Sequence, residues 1–356
     1  MSRIITLGEI MGRLAAPSYK RFAQAMPGTL EITFAGAEAT VAASIAYLGG
    51  DAAFVTALPT HAVADACVTN LRALGVDTRH ILRTSEGRLG LFFLETGANQ
   101  RPGNVIYDRE GSSVAITPPD AYDWAAIFGN ATWFHLSGIT PAISRNAAAV
   151  ALTALREARA RNLPVSCDMN YRSKLWQWEP SMKPRELASK TMSELLPYVT
   201  CFIGGLEDAA EMLGIRATDV STDPCLEVSR RIVKRFPQMT HVAMSLREGV
   251  SATHNNWGGM LYEAASDQSF RAPLKEGRYE PFAITHMVDR LGGGDAFSAG
   301  LIFALTTPAL ADPQTAVSFA VAAGCLAHSI EGDFNYSTRA EIEALMGGAT
   351  SGRVNR

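Results

Sequence analysis

The sequence contains little that would tie it to a disulfide framework, a zinc site or a membrane. Its five cysteines are dispersed, with no Cys-x-x-Cys pair, and an odd, scattered set fits a reducing compartment. No apolar run is long enough to cross a bilayer and no secretory signal is present, so we expect no membrane contact and a cytoplasmic location. The seven histidines show no metal-ligand spacing, which predicts packing roles for them.

The sequence also lacks a large excess of charge of either sign. A net charge of -3 argues against a nucleic-acid partner, so any phosphate site must be local. In contrast, 47% hydrophobic and 19% charged residues are typical of a globular protein with a substantial core. The chain of 356 residues is long enough for one large domain or two small ones. No internal repeat or proline-rich linker divides it, which favours a single domain.

Strand-like and helix-like segments alternate along most of the chain. Arg3–Ile10 is a mostly apolar run that predicts a buried strand, Asp51–Ala57 predicts a second strand, and Ala62–Leu74 predicts a helix. Further along, a helix is predicted over Arg145–Arg161 and a strand ends at Asp168. This order predicts an α/β fold with a mainly parallel sheet that helices cover.

Two β-rich segments interrupt the alternation. Arg88–Glu95 and Gly103–Arg109 predict a hairpin, which we expect to leave the main sheet and to form a small lid with the loop-like residues Met11–Phe34. An exposed lid sheet needs cover, and dimerisation through the lid would supply it. Near the C-terminus, Gly249–Tyr262 predicts a further hairpin that turns at Asn255–Gly259.

The expected domain organisation is simple. Residues 1–347 form one domain, into which lid segments at about residues 11–34 and 86–117 are inserted. Residues 348–356 are polar and are expected to form a flexible tail.

The stretch Asp289–Gly300, DRLGGGDAFSAG, has the composition of an anion-binding helix start. Gly292, Gly293 and Gly294 let backbone amides approach an anion closely, and a helix N-terminus adds partial positive charge. Asp295 stands where a carboxylate could take the proton of a hydroxyl that attacks a phosphoryl group. The pattern lacks the Lys-Ser/Thr of a P-loop and the spacing of a dinucleotide fingerprint. Taken alone, it is equally typical of a glycine-rich helix start with an N-cap aspartate.

This stretch resembles the C-terminal signature of the ribokinase-like carbohydrate kinases, D-T-x-G-A-G-D-x-F. The resemblance implies a ribokinase-like three-layer α/β/α fold with a mainly parallel central sheet and a small β-sheet lid. It also implies ATP-dependent phosphorylation of a sugar, with Asp295 as the catalytic base. ATP and Mg²⁺ are the cofactors that it implies, and a monovalent cation is a further candidate.

Four more stretches resemble the 2-keto-3-deoxygluconate kinase branch of that family. AGAEATVAASIAYLGG is similar to its GGAEANVA motif, which implies that Gly36 lies against the sugar and that Thr40 takes the place of an asparagine. An ordinary loop-to-helix turn is the alternative. RPGNVIYDREGSS resembles the lid segment RPSKVIYDR, and period two puts Tyr107 and Arg109 on one strand face. A guanidinium there suits the carboxylate of a sugar acid, whereas a solvated edge-strand charge is the alternative.

The other two stretches follow predicted buried elements. CDMNYRSKLW is close to the D-x-N-x-R element of the family, and Arg172 is the matched substrate residue, a second cation for the acid group or for the transferred phosphate. Asp168 in the same stretch could instead cap a turn. HSIEGDFNYST resembles the GDFN segment, which implies that Asp333 accepts hydrogen bonds from substrate hydroxyls. A Gly-Asp turn at a helix end is the alternative.

Two stretches carry the expected nucleotide contacts. VAMSLREGVSATHNNW resembles the strand and loop that contact ATP, which implies contacts from Ser245, Arg247 and Gly249, although Arg247 replaces a common glycine. GGLEDAAEML aligns with the segment that helps to place hydrated magnesium. It lacks the usual asparagine and first glutamate, so Asp208 is the candidate metal residue that remains.

Together these stretches predict a kinase that phosphorylates the terminal hydroxyl of a small-molecule sugar acid, 2-keto-3-deoxygluconate, and gives the 6-phosphate. Three alternatives stay open from the sequence. One is a kinase for a neutral sugar such as fructose or ribose, another is a kinase for 2-keto-3-deoxygalactonate, and the third is a catalytically weak sugar-acid sensor that kept the fold. The pairing of Arg109 with Arg172 favours an acid over a neutral sugar.

Overall fold

The computed structural model describes residues 2–349. The predicted tail, residues 348–356, therefore lies outside the described residues except for its first two positions. The strands in chain order are β1 (Arg3–Leu7), β2 (Met11–Ala15), β3 (Glu31–Ala35), β4 (Asp51–Pro59), β5 (Ile81–Thr84), β6 (Gly90–Glu95), β7 (Asn104–Asp108), β8 (Trp133–Ser137), β9 (Val165–Asp168), β10 (Cys201–Gly204), β11 (His241–Ser251), β12 (His254–Glu263), β13 (Gln268–Ala272), β14 (Leu274–Lys275), β15 (Arg278–Tyr279) and β16 (Phe282–Ile284).

The helices connect most of these strands. They are α1 (Phe22–Ala25), α2 (Ala37–Tyr47), α3 (Ala62–Ala73), α4 (Ser113–Ile116), α5 (Trp124–Phe128), α6 (Thr140–Ile143), α7 (Arg145–Ala160), α8 (Pro184–Leu195), α9 (Leu206–Leu213), α10 (Pro224–Arg235), α11 (Gly293–Leu305), α12 (Pro313–Ala327) and α13 (Arg339–Met346). Short 3₁₀ turns follow at Pro119–Ala121 and Leu196–Tyr198. Over residues 2–349, no helix is both long and apolar enough to cross a membrane.

The main sheet has the strand order β13-β12-β11-β10-β9-β8-β1-β4-β5, and β16 also pairs with β12. Neighbours from β11 to β5 run parallel, whereas β12 is antiparallel to β11, β13 and β16. The carboxyl ends of the parallel strands therefore meet at one edge, which is where sheets of this kind bind ligands. The predicted α/β fold with a mainly parallel sheet is confirmed.

Helices cover both faces of this sheet. In β1, Ile4 packs into the layer formed by α2, α3, α11 and α12, whereas Ile5 and Leu7 face the layer of α7, α8, α9 and α10. Successive side chains of a strand point to opposite faces, so a nearly continuous apolar strand such as β1 requires a helix layer on each side. With both faces covered, a ligand can reach the parallel strands only at their ends.

A second, four-stranded sheet has the order β3-β2-β6-β7 and stands apart from the main sheet. We call it the lid sheet. Its inner face has a small core of its own, which contains Met11, Ala15, Ala35, Phe92 and Leu94. The outer face carries apolar side chains as well, and Ile32 and Ile106 on the edge strands are 64% and 48% exposed.

The structure differs from the sequence-based expectations at three places. Residues 11–34 were expected to be loop-like, yet they contain β2 and most of β3. Residues Ser113–Ile116, inside the expected lid segment, form α4, whose backbone carbonyls accept hydrogen bonds from the start of α7. The β11–β12 hairpin turns at residues 252–253, not at Asn255–Gly259. Gly259 serves packing instead, because a Cβ atom there would lie 2.7 Å from Val321.

Candidate active site

A large cavity opens where the carboxyl ends of β9, β10 and β11 approach the start of α11. Its volume is about 960 Å³. Because the strands end here and a helix begins here, loop side chains and free backbone amides face the same space. The polar side chains and glycines that line it are Asp168, Asn170, Arg172, Gly204, Gly205, Glu207, Asp208, Ser245, Arg247, Glu248, Asn256, Arg290, Gly292, Gly294 and Asp295.

A smaller cavity of about 110 Å³ lies under the lid sheet. Its polar residues and glycines are Glu9, Gly36, Glu38, Tyr107, Arg109, Asn170, Arg172, Gly292, Asp295 and Asp333. Five residues line both cavities, namely Asn170, Arg172, Leu291, Gly292 and Asp295. The two cavities therefore meet at one wall, and Asp295 is on it.

The glycine motif forms the N-terminus of α11. Gly292 is its N-cap with φ of 79°, and a side chain there would overlap the carbonyl oxygen of Asp333. No described side chain caps the first turn, so its first amide groups are free to bind an anion. Gly294 faces open space, but Gly293 lines neither cavity, since His328 packs directly against its Cα. His328 occupies the side of Gly293 where a side chain would be, but the Gly293 amide belongs to the uncapped first turn, so the anion hole at the three glycines stays a prediction.

Asp295 occupies an environment that opposes its ionisation. Burial raises the pKa of this carboxyl well above its ordinary value, and the neighbouring carboxylates Asp168, Asp333 and Glu38 raise it further. Arg172 acts in the opposite direction and lowers it. A carboxyl with a raised pKa at the junction of two cavities has the properties of a general acid or base.

Asp333 is held by an arginine of the lid sheet. The Arg13 guanidinium in β2 donates from Nη1 to Asp333 Oδ1 at 2.5 Å and from Nη2 to Asp289 Oδ2. Asp289 also accepts the amides of Leu291 at 3.1 Å and Gly332 at 3.1 Å. Burial raises the pKa of Asp333 to about 6, although Arg13 partly offsets this. One guanidinium thus ties the lid sheet to the loops that carry Asp333 and the glycine motif.

Tyr107 and Arg109 both face the smaller cavity, as the strand period predicts. Arg109 is buried and pairs with Glu9 through Nε at 2.7 Å and through Nη2. Its guanidinium carbon lies 5.6 Å from the centre of the Tyr107 ring. The expected solvated alternative for Arg109 is therefore wrong. Glu9 also lines this cavity, and its Oε1 is buried without a partner among the described residues.

The start of α2 forms another wall of the smaller cavity. Gly36 lines it, and a side chain at Gly36 would overlap the carbonyl oxygen of Glu9. Glu38 is buried, and its Oε1 accepts hydrogen bonds from the Ser137 amide at 2.9 Å and the Thr140 hydroxyl at 2.6 Å. Burial raises the pKa of Glu38.

Thr40 lies in the interior of the same helix. It is 0% exposed and lines neither cavity. The predicted contact of Thr40 with the sugar is therefore not possible from this position, since the side chain faces the protein core.

The loop after β9 reaches both cavities. Arg172 is exposed and lines both. Asn170 has φ of 39°, and its buried Oδ1 has no partner within residues 2–349. Burial and the nearby Asp208 carboxylate raise the pKa of Asp168 to about 7. Asp208 holds the loop in place, because its oxygens accept the amides of Tyr171 at 3.0 Å and Gly205 at 2.8 Å.

The structure places only some of the predicted nucleotide contacts on the wall of the large cavity. Ser245 and Arg247 in β11 line the large cavity. Gly249 is exposed and does not line this cavity, and Nη2 of Arg290 lies 3.7 Å from where a Cβ atom of Gly249 would be. The nucleotide contact of Gly249 stays a prediction, whereas Arg290 lines the cavity wall.

Sequence reasoning missed four residues that the structure brings to the site, which are Glu9, Arg13, Glu38 and Arg290. Arg13 could have been found from the period of β2, because period two puts it on the same strand face as the apolar Met11 and Ala15. The glutamates had no comparable signal, since a buried carboxylate is recognisable only from its partners in space.

Comparison with known proteins agrees with this geometry. Residues 1–335 match the model of the pfkB family carbohydrate kinases. A 2-dehydro-3-deoxygalactonokinase of Haloferax volcanii is 30% identical over 354 residues, which is 99% of this chain and 98% of that protein. The crystal structure of 2-dehydro-3-deoxygluconokinase from Thermotoga maritima is similar with a TM-score of 0.88 and 37% identity, over 98% of each chain.

A more distant neighbour carries nucleotide. It is a candidate ribokinase II from Escherichia coli in complex with ATP and Mg²⁺, with a TM-score of 0.75 and 20% identity over 98% of this chain and 100% of that one. At this identity the similarity shows the fold alone.

The fold and the two adjoining cavities define a kinase of the ribokinase-like class. The chain belongs to the pfkB family of carbohydrate kinases. It is therefore a phosphotransferase that acts on a sugar hydroxyl, and its family implies the use of ATP. The predicted family and enzyme class are confirmed.

Proposed function

We propose that the protein transfers the γ-phosphoryl group of ATP to the terminal hydroxyl of 2-keto-3-deoxygluconate, also called 2-dehydro-3-deoxygluconate, and yields the 6-phosphate. The observation that carries this proposal is the position of Asp295 on the wall shared by both cavities. A carboxylate there can reach a hydroxyl bound under the lid sheet while ATP occupies the larger cavity.

In this mechanism Asp295 accepts the hydroxyl proton as the hydroxyl oxygen attacks the γ-phosphorus. The bond between that phosphorus and the β,γ-bridging oxygen breaks, and ADP leaves. The free amides at the start of α11, beside Gly292 and Gly294, stabilise the charge on the transferred group. Arg172 favours the ionised form of Asp295 that a base requires. The lid sheet keeps water from the γ-phosphorus.

The sugar acid is held from several sides. We assign its carboxylate to Arg172 and Arg109, with Tyr107 beside them, because paired guanidinium groups select an anion. Two acceptors suit its hydroxyls, Asp333 and the unpartnered Oε1 of Glu9. Buried acceptors without a protein partner are expected to bind a ligand or water. Gly36 lines the same cavity and leaves room beside the backbone.

The large cavity offers few side chains that could coordinate magnesium. Within the described part of the chain, no group of three His, Cys, Asp or Glu side chains is arranged to hold a metal ion. Both oxygens of Asp208, the predicted metal residue, already accept backbone amides. Magnesium bound to ATP keeps several waters, so Asp208 and Glu207 would contact the metal through water. The roles proposed for Asp295, Arg172 and the helix amides do not require a direct metal ligand from the protein. The monovalent cation stays a prediction.

A second candidate substrate is 2-keto-3-deoxygalactonate. The similarity to the Haloferax volcanii enzyme of that name favours it. The two sugar acids have the same carboxylate and the same terminal hydroxyl, so the contacts assigned to Arg109, Arg172 and Asp295 serve both. Discrimination must come from the acceptors that face the ring or chain hydroxyls, such as Asp333.

A panel of sugars tests the function. ADP release is measured by a coupled assay with 2-keto-3-deoxygluconate, 2-keto-3-deoxygalactonate, fructose and ribose. We expect a sugar acid to have the highest kcat/KM, and Arg172→Met to lower it for the acid more than for the neutral sugars. The exposed lid residue Arg88, changed to Met, is the matched control. Equal or higher kcat/KM with fructose or ribose would overturn the acid assignment, and sugar-acid binding without turnover would favour the sensor.

We further propose a dimer that forms through the lid sheet. The support is its apolar outer face, which includes Leu14, Ile32, Leu91, Phe93 and Ile106 by strand alternation. Exposed edge strands also invite pairing. The cytoplasm is the compartment that we propose, because the five cysteines are free thiols and a reducing compartment keeps thiols in that form.

A further inference from the structure

Three arginines line the large cavity without a carboxylate partner. Arg172, Arg247 and Arg290 all contribute to its wall, and within residues 2–349 none of them forms an ion pair. Arg13 in the lid sheet and Arg109 just after it behave differently, since Arg13 pairs with Asp289 and Arg109 pairs with Glu9. Guanidinium groups without a carboxylate partner on a concave wall can attract an anionic ligand.

Arg247 and Arg290 lie side by side. Arg247 and Gly249 are two positions apart in β11, so they share a strand face, and Nη2 of Arg290 lies over Gly249. The backbone of Arg290 is fixed, because its amide donates to Asp289 Oδ1 at 2.7 Å. Arg290 also stands two residues before Gly292, the N-cap of α11. The pair therefore borders the free amides at the helix start.

The electrostatics agree with an anion between these groups. Burial, together with repulsion from Arg290 and Arg172, lowers the pKa of Arg247 to about 10. Burial lowers the pKa of Arg290 as well. An anion placed among the three arginines would relieve their mutual repulsion.

The cavity wall supplies little for a metal. Gly205 and Leu206 occupy the start of the α9 segment, which leaves Glu207 and Asp208 as its carboxylates. Asp208 is engaged by two backbone amides, and Asp168 has a pKa of about 7, so it is partly neutral at physiological pH. Glu207, Asp208 and Glu248 share this wall with the three arginines, but no group of three carboxylates in the described residues is arranged to hold a metal ion.

We propose that Arg247 and Arg290 form a phosphate clamp that neutralises the phosphate chain of ATP, so that the protein binds metal-free ATP nearly as tightly as MgATP. The proposal rests on the assignment of ATP to the large cavity. A guanidinium fork pairs with phosphate oxygens in two parallel hydrogen bonds. Metal-free ATP carries two more negative charges than MgATP, and the clamp supplies two positive charges in the place of the metal.

Calorimetry of ATP binding in EDTA and in Mg²⁺ tests the clamp, without sugar present. We expect EDTA to weaken ATP binding to the unmodified protein by less than about tenfold. R247A and R290A should each weaken metal-free ATP binding by about tenfold or more, as for a lost charge-assisted contact. R156A is the matched control, because Arg156 is an exposed arginine of α7 that lines neither cavity. It should bind ATP as the unmodified protein does.

Two results would overturn the clamp. One is a loss of about tenfold or more when EDTA replaces Mg²⁺ with the unmodified protein. The other is metal-free ATP binding by R247A and R290A that matches R156A, with all three variants folded by thermal unfolding. The sugar panel is read separately. Metal-free ATP binding with no sugar turnover would support the clamp and reject the proposed function. Sugar turnover without metal-free ATP binding would reject the clamp alone.

Discussion

Replacement of Arg13 by methionine is the sharpest test of how the lid sheet is attached. The side chains of Arg13, Asp289 and Asp333 are 4%, 6% and 12% exposed, so the change leaves two buried carboxylates without their shared cation. Removal of one partner from a buried ion pair costs about 3–5 kcal/mol. Methionine keeps the length and apolar stem of the side chain, so the loss reports charge more than packing.

The loss should depend on pH. Burial already raises the pKa of Asp333 to about 6, and Arg13 holds it down. Without Arg13 the folded-state pKa rises further, whereas the unfolded value stays near 3.9. A raised carboxyl pKa leaves stability unaffected below the unfolded pKa and reduces it as pH rises to the folded pKa. The penalty of R13M is therefore larger at pH 8 than at pH 5.5, by about 1.4 kcal/mol for each further unit of rise.

Urea unfolding followed by tryptophan fluorescence measures this difference at both pH values. R88M is the matched control, because Arg88 pairs with Asp108 beside the same sheet but the two side chains are 41% and 48% exposed. An exposed pair contributes about 0–1 kcal/mol. Equal losses in R13M and R88M, or a loss in R13M that is the same at both pH values, would refute the reasoning.

Three further predictions concern the glycine motif. D295N should lower kcat by about 10²–10⁴-fold, while calorimetry should still detect sugar-acid binding. A D295N variant that keeps a tenth of the kcat, a loss of about 1.4 kcal/mol, would contradict the assignment of Asp295 as the base. The pKa of Asp295 is raised and a base must be ionised, so kcat/KM should fall on acidification at a pH clearly above about 3.9, the usual pKa of an aspartate. An acidic limb of the pH–rate profile at that usual pKa would count against Asp295 as the base. G292A should lower the free energy of unfolding by about 1–2 kcal/mol, because the φ of Gly292 is 79°. G294A should not, because Gly294 faces open space. Equal Tm values for the two variants would argue against strain at position 292.

The parts of the fold that the sequence predicted are those whose signals are local. The apolar runs of β1 and β4 and the period of α7 identify buried elements without knowledge of their partners. The glycine motif is also local, because an anion-binding helix start is built from consecutive residues. Tyr107 and Arg109 share a face for the same reason, as neighbours in one strand period.

What could not be predicted depends on partners distant in sequence. Arg13 and Asp333 are 320 positions apart, and no pattern around Arg13 indicates that two buried carboxylates surround it. Gly293 appeared suited to phosphate, yet a side chain there would overlap the His328 ring, which packs beside it. A glycine gives the same sequence signal whether it faces a ligand or a close packing partner.

The wall shared by the two cavities has a consequence for stereochemistry if the proposed mechanism holds. With Asp295 between them, ATP and the sugar would be bound together, and the phosphoryl group would pass directly to the sugar without a covalent intermediate on the protein. A single displacement of this kind inverts the configuration at phosphorus. Initial-rate plots should then intersect rather than run parallel, as expected when both substrates must be present before either product leaves.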